Sequence, residues 1–314
     1  MKIEDERFLV TGGLGFIGRH LVRALVLRGA TCVVVDRERG VEPIRDLVSS
    51  GKVAVHHGTV PSDDLPALLK DCTSVFHLAA SADVRAAERN PREVFANNVL
   101  ATGRLLDAMR DAGVRRIGFA STSTVYGEPS VVPTPEDYEP LQPISVYGAS
   151  KLAAEGLLQG WTDDGRTAVV YRFANVVGGG ASHGIVHDFV WKLKANPGEL
   201  EILGREPGTL KSYVHINDAL RAILLAWSAG GKGVSLFNVG TDDAISVRDV
   251  ADAVCGALEL HDVNYRWTGG VDGGGWRGDV RRMGLSVERL KMLGWRARYG
   301  SAEAVALAAR ELAR

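Results

Sequence analysis

The chain has 314 residues, 46% of them hydrophobic and 24% charged, with 37 basic residues against 38 acidic ones and a formal net charge of -1. That length can bury one large α/β core and a smaller lobe, while the even charge, without basic runs or aromatic-basic interleaving, gives no basis for a nucleic-acid partner or a polybasic membrane surface. No apolar stretch approaches a membrane span, and Met1 to Arg7 is too charged for a secretory leader, so a cytoplasmic protein with no membrane partner is expected. Cys32, Cys72 and Cys255, odd in number and set among apolar neighbours, read as reduced core groups, neither a disulfide set nor a metal site.

Residues 8 to 18, Phe-Leu-Val-Thr-Gly-Gly-Leu-Gly-Phe-Ile-Gly, read as an apolar strand running into a glycine turn that opens a helix. Gly12 permits the tight turn, Gly15 lets the backbone approach a pyrophosphate, and Gly18 lets the helix lie close on the sheet. The first helical residues, Phe16 and Ile17, then present the helix N-terminus to phosphate charge. Leu14, Ile17, Leu21, Ala24 and Leu25 fall on one helical stripe, Gly29 ends it, and Thr31 to Val35 form a β-branched strand closing on Asp36. A carboxylate there accepts hydrogen bonds from a ribose diol and repels a 2'-phosphate, so the cofactor expected is NAD, with Arg37 as the feature that would favour NADP. After the third strand, Val53 to His57, the chain carries Gly58, Thr59 and Val60 where an acidic residue is usual in this fold. Adenine recognition there has to lean on backbone groups.

Strands over Ser74 to Leu78 and Arg116 to Ser121, separated by a helix over about 91–112, continue an alternation that specifies a parallel, doubly wound α/β sheet of Rossmann type. Five prolines between Pro129 and Pro143 mark a loop before the helix that carries Tyr147 and Lys151. Four residues apart on a helix, phenol and ammonium share one face. An adjacent ammonium and a positively charged nicotinamide both favour phenolate, so Tyr147 can exchange a proton with a substrate hydroxyl although its ordinary pKa is about 10. Ala168 to Phe173 and Phe237 to Gly240 read as further strands, and Ala219 to Ala229 and Val247 to Leu258 as helices. The expected division is a dinucleotide-binding domain over 1–178, to which 212–258 partly returns, and a smaller C-terminal substrate-binding lobe from 179–211 and 259–314. His77 and His215, on strands with apolar neighbours, are expected to be packed core groups.

The chain resembles the extended short-chain dehydrogenase/reductase family, and within it the UDP-glucose 4-epimerases. The matching pieces run nearly end to end: Thr11 to Gly18, Val75 to Ala80, Asn98 with Thr102, Ser121 to Gly127, Tyr147 to Lys151, Arg172 to Gly178, Ser212 to Asp218, Phe237 to Gly240, Gly278-Asp279 and Leu293 to Trp295. The resemblance implies NAD-dependent epimerisation at C4 of a UDP-hexose of the UDP-glucose/UDP-galactose type, through a transient 4-keto intermediate. Alternatives within it are a UDP-glucuronate or UDP-N-acetylhexosamine 4-epimerase and an NAD-dependent sugar-nucleotide reductase or dehydrogenase. Thr122 matches the hydroxyl that bridges substrate and tyrosine. Lys151 would hold the nicotinamide ribose, and Asn98 with the backbone of Leu78, Ala79 and Ala80 would line the cofactor. Asn175, Val186, Lys211, Tyr213 and Asp279 match positions that contact the sugar nucleotide, and a homodimer through the helices of about 91–112 and 147–160 is implied.

Two departures matter. Lys211 stands where arginine is common, a point charge in place of a planar fork, and Trp276 replaces another arginine, with Arg277 beside it. Related 4,6-dehydratases carry an Asp-Glu pair after the threonine; Ser123 and Thr124 supply no acid or base there. Beyond Gly278-Asp279, Met283 and Gly284 stand where longer members place an aromatic ring that narrows the sugar pocket. That predicts extra room around the hexose, with Met283 as a core group and Trp276 as the closing side chain for the competing reading.

Overall fold

The computed structural model describes residues 3–60, 64–271 and 274–314. In chain order the first half forms β1 (Arg7–Thr11), α1 (Phe16–Val26), β2 (Thr31–Asp36), α2 (Arg45–Ser49), β3 (Val53–His57), α3 (Leu65–Leu69), β4 (Ser74–His77), α4 (Val84–Arg89), α5 (Pro91–Phe95), α6 (Ala101–Asp111), β5 (Arg116–Thr122), α7 (Val146–Trp161) and β6 (Thr167–Phe173). The second half forms β7 (Asn175–Val177), α8 (Ile185–Ala195), β8 (Glu199–Ile202), β9 (Leu210–Lys211), β10 (Tyr213–His215), α9 (Ile216–Ala229), β11 (Gly233–Val239), β12 (Ile245–Ser246), α10 (Val247–Ala257), β13 (Asn264–Trp267), β14 (Arg282–Met283), α11 (Glu288–Met292) and α12 (Ser301–Ala313).

The main sheet has seven strands in the order β11-β6-β5-β4-β1-β2-β3. β3, β2, β1, β4 and β5 pair in parallel, with Leu9 opposite Val33 on one side and Val75 on the other. Such strands are buried on both faces, which is why β1 and β2 read as almost unbroken apolar runs. One face packs Leu9, Val33, Val75, Ile117 and Phe119 against α6 and α7 through Leu105, Ala154, Leu158 and Trp161. On the other side Phe76 lies between Phe8 and Trp227, with ring centroids at 5.6 and 4.6 Å. Chain order reverses at β1, so the crevice outside the carboxyl ends of β1 and β4 is the switch point at which such sheets take ligands.

One expectation is corrected. The helix predicted over 91–112 is broken by a π-helical turn, Ala96–Leu100, between α5 and α6. The wider turn carries Asn98, buried, between the exposed Phe95 and Leu100. By its internal contacts the chain forms two compact units. One compact unit comprises Met1–Thr122, Val146–Arg172 and Ile223–Phe237, and the other Ser123–Ser145, Phe173–Ala222 and Asn238–Arg314. The proline-rich loop belongs to the second unit because Thr134 donates its amide to the Gly284 carbonyl at 2.8 Å and its own carbonyl accepts from the Asn238 side chain at 3.0 Å. The second unit has its own core, in which α8, α10 and α12 pack through Phe189, Val190, Val250, Val254, Val305 and Ala309. Among the described residues no helix is long and apolar enough to cross a membrane.

Candidate active site

In the first unit the glycine turn has the geometry the sequence asks for. Gly12 adopts φ +70°, and a Cβ there would stand 2.7 Å from the Ala79 amide nitrogen; at Gly18 it would stand 2.0 Å from the Gly12 carbonyl oxygen. Any side chain at either position would push the turn off β4 or α1 off the turn. Gly15 is the N-cap of α1 and offers no side chain to its first amides. It is exposed, with Phe16 and Ile17 partly buried behind it, so the unsatisfied donors of the first turn are open to an anion. Asp36 lies at the end of β2, buried, where its carboxylate accepts from the amides of Leu14 at 2.8 Å and Glu38 at 3.0 Å. It therefore closes the glycine turn as well as presenting a charge beyond it. Thr59 is exposed just past β3. These features fit a dinucleotide: a cradle that a Cβ would fill, a free helix N-terminus and a fixed carboxylate.

Leu78, Ala79 and Ala80 continue from β4, partly buried, with the Leu78 amide on the Thr11 carbonyl at 3.0 Å and the Ala79 amide on Thr11 Oγ1 at 3.3 Å. Behind them His77 is fully enclosed. Its Nδ1 is 2.6 Å from Thr11 Oγ1 and its Nε2 3.0 Å from Thr102 Oγ1, whose proton goes to the Asn98 carbonyl at 2.6 Å. The imidazole therefore carries hydrogen on Nε2 and accepts at Nδ1, and burial with the nearby Lys151 charge pushes its pKa down to about 3. It is a neutral core group, as expected. Asn98 spends its amide on the loop and the helix: Oδ1 accepts from the Ser81 amide at 2.7 Å, and Nδ2 donates to the Ser81 carbonyl at 3.2 Å and to Ser150 Oγ at 2.9 Å.

Thr122 ends β5, and its hydroxyl is hydrogen-bonded to the Tyr147 phenol on α7. One turn on, Lys151 is only 2% exposed, with Nζ 4.3 Å from the centre of the Phe119 ring. Burial pushes the Tyr147 phenol up to about 12 against the opposing Thr122 bond, and pushes the Lys151 ammonium down to about 7 against the opposing Glu155 carboxylate. This qualifies the expectation that the lysine lowers the phenol: desolvation is the larger effect on both groups. A tyrosine, a hydroxyl and a lysine so placed can pass a proton to or from an alcohol.

The second unit holds the remaining candidates. Lys211 in β9 is paired with Asp279 through a short contact, Asp279 also accepts from the Gly275 amide at 2.9 Å, and Lys211 Nζ lies 5.4 Å from the Trp276 ring centre. Glu128, Trp276, Arg277, Asp279 and Arg281 line a cavity of about 450 Å³. Asn175 is exposed and donates to the Ser212 carbonyl at 3.0 Å, and β7 pairs with β10 so that Asn175 stands opposite Tyr213. Of the other expected substrate-binding residues, Val186 on α8 and Tyr213 on β10 are buried and pack with Phe189, Val190 and Leu200. Met283 is likewise core, 3% exposed, and its carbonyl accepts from the Ser212 amide at 3.0 Å. The extra room inferred from Met283 is therefore not lined by that side chain, whereas Trp276 does line the cavity.

Sequence reasoning missed Ser81, Ser150, Glu155 and Arg172, whose partners lie far along the chain. The signal that could have found Glu155 is its place four residues after Lys151 on an otherwise apolar or small helix face.

A model of the NAD-dependent epimerase/dehydratase family matches residues 8–240. A UDP-glucose 4-epimerase of Streptomyces lividans is 32% identical over 266 residues, covering 79% of this chain and 80% of that protein. The crystal structure of a UDP-galactose 4-epimerase superposes with a TM-score of 0.85 at 39% identity, covering 97% of this chain and 98% of that one. MoeE5, solved with UDP-glucuronic acid and NAD, does so at 0.86 and 33% identity over the same shares. With the family model spanning most of its length and the glycine turn, carboxylate and tyrosine-lysine helix in place, the chain belongs to the NAD-dependent epimerase/dehydratase family.

Proposed function

We propose that the protein is an NAD-dependent 4-epimerase of UDP-hexoses of the UDP-glucose/UDP-galactose type. The observation that carries this reading is the Thr122–Tyr147 hydrogen bond at the carboxyl end of β5, with Lys151 buried one helical turn on, in the unit that holds the glycine turn. Gly12, Gly15, Phe16 and Ile17 would receive the pyrophosphate, Asp36 the adenosine ribose, and Thr59, Leu78, Ala79, Ala80 and Asn98 the rest of the cofactor's surroundings. Bound NAD supplies reversible hydride acceptance and, when oxidised, a positive charge that favours phenolate. Tyr147 takes the proton of the 4-hydroxyl directly or through Thr122 and returns it after the 4-keto sugar has presented its other face. Lys151 stabilises the phenolate and holds the nicotinamide ribose. Asn175 and Lys211 hold the nucleotide diphosphate, Asp279 fixes the Lys211 ammonium beside it, and Val186 and Tyr213 shape the wall behind them.

Ser123 and Thr124, lacking any carboxyl or ammonium, leave no acid-base pair for eliminating water, which sets this reading apart from dehydration. The relatives named as 4-epimerases support it. The test is incubation of the purified protein with UDP-galactose and no added dinucleotide. Approach to a UDP-glucose/UDP-galactose equilibrium is the expected outcome; turnover only with a stoichiometric supply of NAD or NADH would make it a net oxidoreductase. A parallel panel with UDP-N-acetylglucosamine and UDP-glucuronate assigns the hexose.

Homodimerisation is part of the proposal. Phe95, Leu100 and Leu157 are 52%, 49% and 39% exposed on α5, the π turn and α7, an apolar face that a second copy would cover. Sedimentation at micromolar concentration tests it: a monomer there would remove this element. A cytoplasmic location is supported by three buried free cysteines.

A further inference from the structure

Tyr147, Lys151 and Glu155 follow one another at four-residue spacing along α7, so their side chains leave the helix on one face at successive turns. Glu155 is largely enclosed, its side chain 9% exposed, and its partner Arg172 on β6 is 4% exposed. Glu155 Oε1 accepts from Arg172 Nε at 3.1 Å and, through a short contact, from Ser121 Oγ; Oε2 accepts from Arg172 Nη2 at 2.7 Å. The guanidinium thus forks the carboxylate, which fixes its position rather than leaving it to rotate. Ser121 is the residue before Thr122, so the carboxylate ties the last turn of β5 to the helix that bears the phenol and the ammonium. A carboxylate desolvated beside two catalytic groups is costly, and a purely structural clasp between α7 and β6 could be apolar.

The charges around Lys151 show what this one does. On its own helix stand the Tyr147 phenol and Glu155. Across from it β4 presents His77, which is neutral, β5 presents the uncharged Phe119, and β6 presents Arg172, which is neutralised by Glu155. Asn98 on the π turn and Ser150 on α7 are uncharged, and Glu88 on α4 is engaged with the Val146 amide at 2.9 Å at the start of α7. Burial disfavours the Lys151 ammonium, and Glu155 is the anion that opposes this.

We infer that Glu155 is a positioning residue for the proposed reaction: clamped by Arg172 and Ser121, its carboxylate favours the charged form of Lys151 and seats the face of α7 that carries Tyr147 against the end of β5. The inference rests on the reading of Tyr147 and Lys151 as catalytic residues. Glu155 would act through Lys151 and the seating of α7, its own oxygens being engaged by Arg172 and Ser121.

Two measurements on Glu155→Gln, which keeps the shape and removes the charge, separate the inference from that reading. The first is kcat and KM for UDP-galactose from pH 6 to pH 10. A fall in kcat of about ten-fold near pH 8 is expected, the size typical of losing a group that orients a catalytic one, with KM changed by less than about two-fold. The alkaline limb of kcat should move about one pH unit lower, as an ammonium that has lost its neighbouring anion gives up its proton sooner. The second is an NMR titration of Lys151 in holoenzyme carrying lysine labelled at Cε, which reports the ammonium whether or not it takes part in catalysis. A lowered titration together with a lowered alkaline limb supports the inference. A lowered titration with an unmoved limb leaves the electrostatic role standing and overturns the catalytic reading of Lys151. An unmoved titration overturns the inference, even where kcat falls, because the carboxylate is then only a structural clasp. Should Glu155→Gln fail to fold, Glu155→Asp withdraws the charge by one methylene; a titration lowered by roughly half as much is expected, and an unmoved one again overturns the inference.

Discussion

Lys151 in the first unit and Lys211 in the second are both shielded ammonium groups, and their surroundings differ in kind. Lys151 is 2% exposed, lies over the Phe119 ring and has no carboxylate hydrogen-bonded to it among the described residues. Lys211 is paired directly with Asp279, which is further held by the Gly275 amide. Desolvation without a bonded counterion leaves Lys151 poised to titrate near neutrality, the state in which a small change of nearby charge decides its protonation. Lys211 already has a bonded counterion, so an incoming anion has to compete with Asp279 for it. The first arrangement suits a group that takes part in chemistry. The second suits one that binds.

Removing the phenol should have the largest effect on that contrast. Tyr147→Phe deletes the group proposed to exchange the proton while leaving the Lys151 environment and the glycine turn in place. Turnover should fall by on the order of 10² or more, with bound NAD retained when the released nucleotide is measured. Near-normal epimerisation by this variant would remove Tyr147 from the reaction.

Next in size is a stability effect that only the unbonded lysine should show. The folded-state pKa of Lys151, about 7, lies below the ordinary lysine value. Between the two values the unfolded chain therefore binds more protons than the folded one, and the contribution of this group to stability rises with pH across that window. Below about 7 the folded protein carries the full cost of the buried charge. Lys151→Met should accordingly stabilise nucleotide-stripped protein by about 2 kcal/mol at pH 6, the gain fading as pH rises towards 10. The raised pKa of Tyr147, about 12, has the opposite sign: stability from the neutral phenol is present below the ordinary tyrosine value and is lost as pH climbs through 12. Melting temperatures of wild type and variant across this range check the prediction; a gain independent of pH would mean that packing, not charge, was responsible.

Lys211→Met probes the other side of the comparison. It removes the cation and leaves Asp279 with the Gly275 amide, so a nucleotide diphosphate should lose one charge-assisted contact and meet an unbalanced carboxylate. KM for the UDP-sugar should rise roughly ten-fold with kcat changed less. An unchanged KM would assign diphosphate recognition to Arg277 and Arg281, which line the same cavity as Asp279.

The parts of this contrast that were legible in the sequence are the local ones. A glycine at φ +70° beside a helix N-terminus, and a tyrosine and lysine one turn apart, are settled within a dozen residues, so their spacing announces them. What stayed hidden depends on residues distant in the chain. His77 meets Thr11 across 66 positions and Asn98 meets Ser150 across 52, and no periodicity encodes such pairs. For Met283 the sequence left two readings open, pocket wall or core, for the same reason. Its place in a two-residue strand paired with β9 buries it, and a two-residue strand leaves no pattern. The loop before α7 read correctly as a loop, but its membership of the second unit is decided by the Thr134 backbone bonds and not by its prolines.

Asp36 carries the smallest expected effect and extends the comparison to an anion. Its carboxylate makes no ion pair among the described residues; it is held by the Leu14 and Glu38 amides alone, and so its charge is not cancelled locally as that of Asp279 is. A ribose diol can donate to the lone pairs that those amides leave free, whereas a 2'-phosphate would meet uncompensated repulsion. Asp36→Asn keeps one oxygen acceptor and removes the charge. It also turns an amide donor towards one of the two backbone amides, so the turn should loosen and NAD should bind a few-fold more weakly, while NADP gains from lost repulsion. The ratio of the two dissociation constants should move towards NADP by about five-fold, under 1.4 kcal/mol, the size of a screened charge contact near the surface. Titrating nucleotide-stripped wild type and variant with both dinucleotides measures that ratio. A wild type that already prefers NADP would transfer the selection to the neighbouring Arg37, and an unmoved ratio in the variant would leave Asp36 as a turn-closing residue only.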